Sequence, residues 1–141
     1  MKKRFILFAV LSLFMVFVLP TDLLAGSPFH ISGWVRKDDK AVRNARIQVY
    51  YGQDLVKEAR SNRWGNFEID LCLQKDYTLV VSAEGSAPKR IAFHSSNAEQ
   101  IKGKDHFFEF IVDIFSENSS PENIFTEHLV RYDQTRGEFM W

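Results

Sequence analysis

Hydrophobic and polar residues alternate with a period of two in several stretches of the chain, most clearly at residues 45–51, 66–71, 77–84 and 108–114. Because successive side chains of a β-strand point to opposite faces of a sheet, each stretch presents one apolar face and predicts a half-buried strand. Beyond the N-terminal region, no segment repeats its apolar residues at the helical period of about 3.6 over more than about ten positions. The alternation therefore predicts a chain built from strands.

Turn-forming residues separate the predicted strands. Glycine, proline, asparagine and aspartate supply positive or preset φ angles, and they cluster at 37–40, 51–54, 62–66, 74–76 and 84–88. Sheets with one apolar face cover that face by packing together. The prediction is an all-β, two-sheet Greek-key sandwich of about seven strands with a C-terminal strand extension. The residues predicted to face its core are Ile31, Val35, Ile47, Val49, Phe67, Ile69, Leu79, Val81, Phe108, Phe110 and Val112.

The N-terminus has the order of residues found in secretory signal peptides. Basic residues at positions 2–4 precede an uninterrupted apolar run from Phe5 to Leu19, and small residues follow at Ala25 and Gly26. The run of about fifteen residues is shorter than the roughly 20 that span a bilayer as a helix. We therefore predict that residues 1–25 are a cleaved signal peptide, that the protein is exported to the periplasm or the cell surface, and that no stable membrane span remains. Retention of the segment as an N-terminal anchor is the alternative.

Charge and cysteine content narrow the classes of partner and the means of stabilisation. The 18 basic and 18 acidic residues balance to a formal net charge of zero, which gives no electrostatic reason to expect nucleic acid or an anionic membrane as partner. Cys72 is the one cysteine in the sequence, so an intrachain disulfide cannot form and stability must come from the hydrophobic core. Between Leu71 and Leu73, the Cys72 thiol is expected to be buried and inert.

The sequence offers no convincing catalytic or metal-binding constellation. His106 and Glu109 have the H-x-x-E spacing of zinc ligands in metallocarboxypeptidases, but residues i and i+3 of a strand face opposite sides of a sheet and cannot share one metal. The four histidines, His30, His94, His106 and His128, have no other tight ligand spacing and are expected at surface or turn positions. No Ser-His-Asp arrangement or glycine-rich phosphate loop stands out. Catalytic residues, a metal and a cofactor are therefore not predicted.

Aromatic side chains at predicted outward or turn positions are the remaining candidates for a site. They are Trp34, Tyr50 and Trp64, the last with Arg63 beside it. Exposed aromatic rings stack on sugars and anchor protein interfaces, because they combine apolar area with a polar tip. Packing against a neighbouring segment is the alternative explanation for all three rings. We predict these four residues as possible contacts for a ligand or partner.

The order of the motifs resembles that of the carboxypeptidase regulatory-like domains, which have a prealbumin (transthyretin)-like β-sandwich fold. The matching segments are I-S-G-W-V at 31–35, A-V-R-N-A-R-I-Q-V at 41–49, N-R-W-G-N-F-E-I at 62–69 and Y-T-L-V-V-S-A-E-G at 77–85. The family pattern usually has glycine where Asn44 stands and aspartate where Asn62 stands. Asn62 therefore puts in doubt any ligand role of the family's aspartate.

The resemblance covers residues 29–94, and with the C-terminal strands it extends over nearly all of the chain after the signal peptide, as in exported single-domain bacterial members. It implies that residues 26–96 form the carboxypeptidase regulatory-like sandwich and that residues 97–141 complete the same domain. Members of the family are stabilising, accessory or adhesive modules and are not themselves peptidases.

The resulting hypothesis is an exported, non-catalytic β-sandwich that acts as an accessory or protein-interaction module of the cell envelope and is not an enzyme. The expected partner is an envelope protein of unknown identity or a glycan, with no role for nucleic acid. One alternative is a carbohydrate-binding module that uses the exposed aromatics. A second is a small transthyretin-like hydrolase, although the chain ends in Arg136-Gly137-Glu138 rather than in the Tyr-Arg-Gly-Ser of that class.

Overall fold

The computed structural model describes residues 28–96, 98, 105–119 and 128–141. The predicted signal peptide at 1–25 lies outside the described residues, as do most of the two loops expected at 95–105 and 116–127. In the described part of the chain, no helix has the length and apolar character needed to cross a membrane.

The described residues form ten strands in two sheets. This confirms the all-β two-sheet sandwich, with more strands than the seven or so expected. The strands are β1 (Pro28–Lys37), β2 (Lys40–Ala41), β3 (Arg46–Tyr51), β4 (Asp54–Arg60), β5 (Asn66–Cys72), β6 (Asp76–Ser82), β7 (Lys89–His94), β8 (His106–Asp113), β9 (His128–Asp133) and β10 (Glu138–Met140).

Strand β1 is the centre of the first sheet. It pairs antiparallel with β5 on one side and parallel with β8 on the other, and the short β2 folds back on its end. The second sheet has the order β10-β9-β7-β6-β3-β4, and its one parallel pair among the described strands is β7 with β9. The strands after residue 105 therefore enter both sheets, β8 the first and β9 and β10 the second.

The core lies between the sheets and contains every residue predicted to face it. That part of the prediction is confirmed, because the period-two pattern alone decides which side chains of a strand point inward. Phe93 lies at the middle of an aromatic cluster, with ring centroids 6.1 Å from Phe29, 5.6 Å from Phe108 and 5.7 Å from Phe110. The cluster joins β1 and β8 of one sheet to β7 of the other.

Two side chains are more exposed than their sequence context predicts. Tyr51 continues the apolar alternation of β3, yet it is 47% exposed, because it is the last residue of the strand, directly before the turn to β4. The pairing of β3 with β4 also shifts register between Val49 and Tyr50, where Val56 of β4 is left without an opposite residue. Cys72 is half-buried, so the expected buried thiol is wrong. The apolar neighbours suggested burial, whereas Cys72 continues the outward series of β5.

The turn between β4 and β5 is held by hydrogen bonds to one asparagine. The Asn62 side-chain oxygen accepts hydrogen bonds from the backbone N–H of Trp64 at 2.9 Å and of Asn66 at 3.1 Å. Gly65 has a φ of 81°, and its carbonyl accepts a hydrogen bond from the N–H of Val35 at 2.8 Å. The predicted turn is present, and it is fastened to the end of β1.

Candidate functional site

The four residues predicted as ligand or partner contacts do not form one site. Trp64 is 58% exposed at the tip of the β4–β5 turn, and the guanidinium carbon of Arg63 lies 3.5 Å from its ring centroid. Both line a shallow concavity together with Arg43. Trp34 lies half-buried on the outer face of the first sheet, and Tyr50 lies half-buried in the second sheet. Arg63 covers one face of the Trp64 indole, so a ring could stack only on the other face.

A second, more apolar cleft of about 610 Å³ runs along the edge of β8. The lining of the cleft includes residues from both faces of β8. Among the described strands β8 pairs with β1 alone, so the edge of β8 opposite β1 borders the cleft. We call it the β8 cleft. The side chains that define it are Trp34, Lys89, Ile91, Ile111, His128 and Trp141. Apolar surface dominates this lining, as it does in ordinary small-molecule sites, and the volume falls within their range of about 300–1,000 Å³.

The indole of Trp141 forms a fixed aromatic wall of the β8 cleft. Its ring centroid lies 5.6 Å from that of Phe108, 5.4 Å from that of Phe110 and 5.3 Å from that of His128, in edge-to-face arrangements. Aromatic pairs of this kind contribute about 0.5–1.5 kcal/mol beyond the area they bury. Trp141 is nevertheless 56% exposed, so it has ring surface left for a ligand.

Two basic side chains lie among these apolar groups. The Lys89 ammonium donates a hydrogen bond to the Asp113 carbonyl oxygen at 3.1 Å and lies 5.7 Å from the Phe115 ring centroid. Burial lowers the pKa of Lys89, and the Asp113 carboxylate acts in the opposite direction. Burial, and then the charge of Lys89, lower the pKa of His128. The Asp113 carboxylate is itself paired with Arg36, at 3.3 Å from Nε to Oδ1. The β8 cleft therefore shifts both bases toward their neutral forms.

We expect the His128 imidazole to titrate below its ordinary pKa of about 6.5. The unfolded chain then binds a proton at a pH where folded His128 does not, so this group lowers the stability of the fold as the pH falls from about 6.5 to the folded pKa. A proton NMR titration of the imidazole C–H resonances measures the pKa directly. Lys89→Met removes the neighbouring charge and should raise the pKa of His128, while burial continues to lower it; Lys75→Met is the control and should leave it unchanged. An ordinary or raised value for His128 in the wild-type protein would contradict this assignment.

One other histidine, His106, is placed differently from the sequence expectation. His106 and Glu109 lie on opposite faces of β8, as the strand pattern predicts, and His106 is 4% exposed against the rings of Tyr132 and Phe139. The expectation of a surface histidine is wrong for His106, and His128 lies half-buried in the β8 cleft. Within the ranges that the structure describes, no group of three or more histidine, cysteine or acidic side chains is arranged to hold a metal ion.

Sequence reasoning missed Lys89, His128 and Trp141. They belong to β7, β9 and the residue after β10, and the fold alone brings them to the edge of β8. No local motif spans such distances along the chain. The one usable signal is the aromatic pair Phe139 and Trp141, whose rings contact the core residues Phe29 and Phe110.

No family model matches the sequence, and no curated protein sequence matches it. Solved structures with a similar fold include a 3-chlorocatechol 1,2-dioxygenase from Rhodococcus opacus, with a TM-score of 0.51 and 8% identity over 67% of this chain and 62% of the enzyme. A catechol 1,2-dioxygenase from Acinetobacter radioresistens has a TM-score of 0.50 and 9% identity over 74% of this chain and 58% of the enzyme. A catechol 1,2-dioxygenase from Acinetobacter sp. has a TM-score of 0.49 and 10% identity, over 68% and 55%.

These likenesses correct the functional hypothesis drawn from the sequence. The expectations of a non-catalytic accessory or interaction module, and of a protein that is not an enzyme, are overturned, because enzymes are built on the same sandwich. At 8–9% identity the likeness establishes the fold alone, and the match spans only 58–62% of the length of these enzymes. The resemblance to carboxypeptidase regulatory-like domains stays a prediction.

Proposed function

We propose that the protein binds a planar aromatic small molecule carrying an oxygen substituent in the β8 cleft. The observation that carries the proposal is the combination, in one apolar cleft of about 610 Å³, of the Trp141 indole with the two bases Lys89 and His128. An apolar cavity in which a few polar groups with shifted pKa values converge is the usual form of a small-molecule site.

The chemistry of the lining selects the ligand class. A planar ring gains contact area and offset or edge-on stacking against the exposed surface of Trp141, and Ile91 and Ile111 supply further apolar walls. A hydroxyl or carbonyl oxygen on that ring meets Lys89 and His128, which offer N–H donors and, in the neutral form, an acceptor lone pair. An aliphatic ligand of the same volume would lack the stacking, and a ring without oxygen would leave the two bases without a new partner.

The names of the structural neighbours suggest a first probe. By those names the enzymes act on catechols, which are planar rings with adjacent hydroxyl groups. At such low identity a shared fold does not show that the substrate is shared, so the ligand class proposed for this protein rests on the lining of the β8 cleft. Catechol is the probe of choice because it has the required ring and oxygens in a small volume.

Isothermal titration calorimetry with catechol and with phenol tests the proposal. We expect saturable binding to the wild-type protein and a loss of about tenfold or more in affinity in Lys89→Met and Trp141→Leu, since each change removes a contact worth roughly 1.4 kcal/mol or more. Trp64→Leu is the matched control, because Trp64 is similarly exposed but lines a different concavity. Absence of saturable binding, or equal losses in Trp64→Leu and Trp141→Leu, would refute the proposed site.

A further inference from the structure

We propose that Lys89 forms a reversible imine with aromatic aldehydes or ketones held in the β8 cleft. The inference rests on the proposed function and names a narrower ligand class, in which the oxygen facing the two bases is that of a carbonyl group. It also assigns a chemical role to a lysine that the fold places at the wall of a cleft.

The position of the Lys89 amine favours nucleophilic attack. A lysine is a nucleophile only as the neutral amine, and apolar surroundings favour that form. A hydrogen bond to the Asp113 carbonyl at 3.1 Å and the Phe115 ring at 5.7 Å locate the nitrogen at the cleft wall. Both contacts favour the ammonium form, whereas burial favours the neutral amine and lowers the pKa of Lys89. The Asp113 carboxylate, whose charge raises the pKa of Lys89, is paired with Arg36, which reduces the attraction that would hold a proton on Lys89.

His128 supplies the proton transfers that the reaction needs. It lies in the same cleft, near enough for the charge of Lys89 to lower its pKa. The Lys89 nitrogen adds to the carbonyl carbon as the C=O π pair moves to oxygen. His128 accepts a proton from the nitrogen and passes it to that oxygen, which gives a carbinolamine. Loss of the hydroxyl group with a second proton releases water and leaves the C=N bond, with no net oxidation or reduction.

Reductive trapping tests the inference. The protein is incubated with 4-hydroxybenzaldehyde and cyanoborohydride, whose hydride reduces any imine to a stable secondary amine, and the modified lysines are identified by peptide mass spectrometry. We expect Lys89 to be modified at least about tenfold faster than other lysines. Lys89→Arg keeps the positive charge but removes the amine and should abolish the main adduct, whereas Lys75→Arg should not change it. Even labelling across the lysines, or an unchanged adduct yield in Lys89→Arg, would overturn the inference.

A ligand without the carbonyl separates this inference from the proposed function. 4-Hydroxybenzyl alcohol has the same ring and hydroxyl group but cannot form an imine. It should bind saturably and, in excess, suppress the labelling of Lys89 by the aldehyde. Saturable binding of the alcohol without a Lys89 adduct from the aldehyde would leave the proposed function standing and refute imine formation. Absence of both would refute the two together.

Discussion

Replacing Gly65 with alanine is expected to destabilise the protein by about 2–5 kcal/mol, from the strain of a left-handed residue together with overpacking. Gly65 has a φ of 81°, and a Cβ atom there would lie 2.6 Å from the Val35 carbonyl oxygen. That oxygen accepts a hydrogen bond from the N–H of Val42 at 2.9 Å. The added methyl group must therefore displace backbone that is already hydrogen-bonded, and valine should cost more than alanine.

Alanine substitutions at two other glycines serve as controls that separate the cost of backbone strain from the cost of steric crowding. Gly52 and Gly85 have φ angles of 60° and 69°, and a Cβ atom at either would meet nothing within 4 Å. Alanine at these positions should cost only about 1–2 kcal/mol, the strain of the left-handed conformation. Urea unfolding followed by circular dichroism gives the free energy of unfolding for the three variants. If Gly65→Ala were no more destabilising than Gly52→Ala, the close approach of the β4–β5 turn to β1 would be wrong.

Truncating Phe67 should remove about 3–5 kcal/mol of stability, as for other buried aromatic side chains. Phe67 is 3% exposed, and its ring lies edge-to-face with Phe110 at 5.8 Å between centroids. A Cβ atom built on Gly33 would lie 3.0 Å from the Phe67 ring, so the ring fills the space over that glycine. Phe67→Ala leaves a cavity between β1, β5 and β8 that these paired strands cannot close.

Phe107 is the matched control for this measurement. It is 71% exposed on the outer face of β8, where it stacks on His30 at 4.8 Å. Phe107→Ala should change the free energy of unfolding by less than about 1 kcal/mol, because surface substitutions rarely cost more. Equal losses for Phe67→Ala and Phe107→Ala in urea unfolding would show that the assignment of inner and outer faces is wrong.

The fold could be predicted well because its signals are local. The alternation in residues 77–84 and 108–114 determines which side chains face the core. The turn at 62–66 can be predicted from Asn62 and Gly65 alone, because both residue types favour turn geometry. The register shift between β3 and β4 could not be predicted, because it depends on how the two strands pair. Cleavage of residues 1–25 as a signal peptide and export of the protein stay predictions, since that segment lies outside the described residues.

The β8 cleft could not be predicted, because its side chains are joined by topology alone. Lys89, His128 and Trp141 are unremarkable in their own segments, and their pKa shifts and ring contacts arise only when β7, β9 and β8 meet. The expectation of a non-catalytic accessory or interaction module was wrong for a related reason. The motifs that suggested a family encode turns and core positions rather than chemistry, and one sandwich can serve both enzymes and binding modules.

The parallel pairing of β1 with β8 also governs how the molecule reaches its native state. β1 is the first strand of the described chain, yet its neighbours are β5 and β8, and the pair begins with Phe29 opposite His106. Closing so long a loop carries a large entropic cost before any contact repays it, and domains dominated by such pairings fold in roughly milliseconds to seconds. One edge of the central strand of the first sheet must therefore stay without its β8 partner until His106–Asp113 has been synthesised.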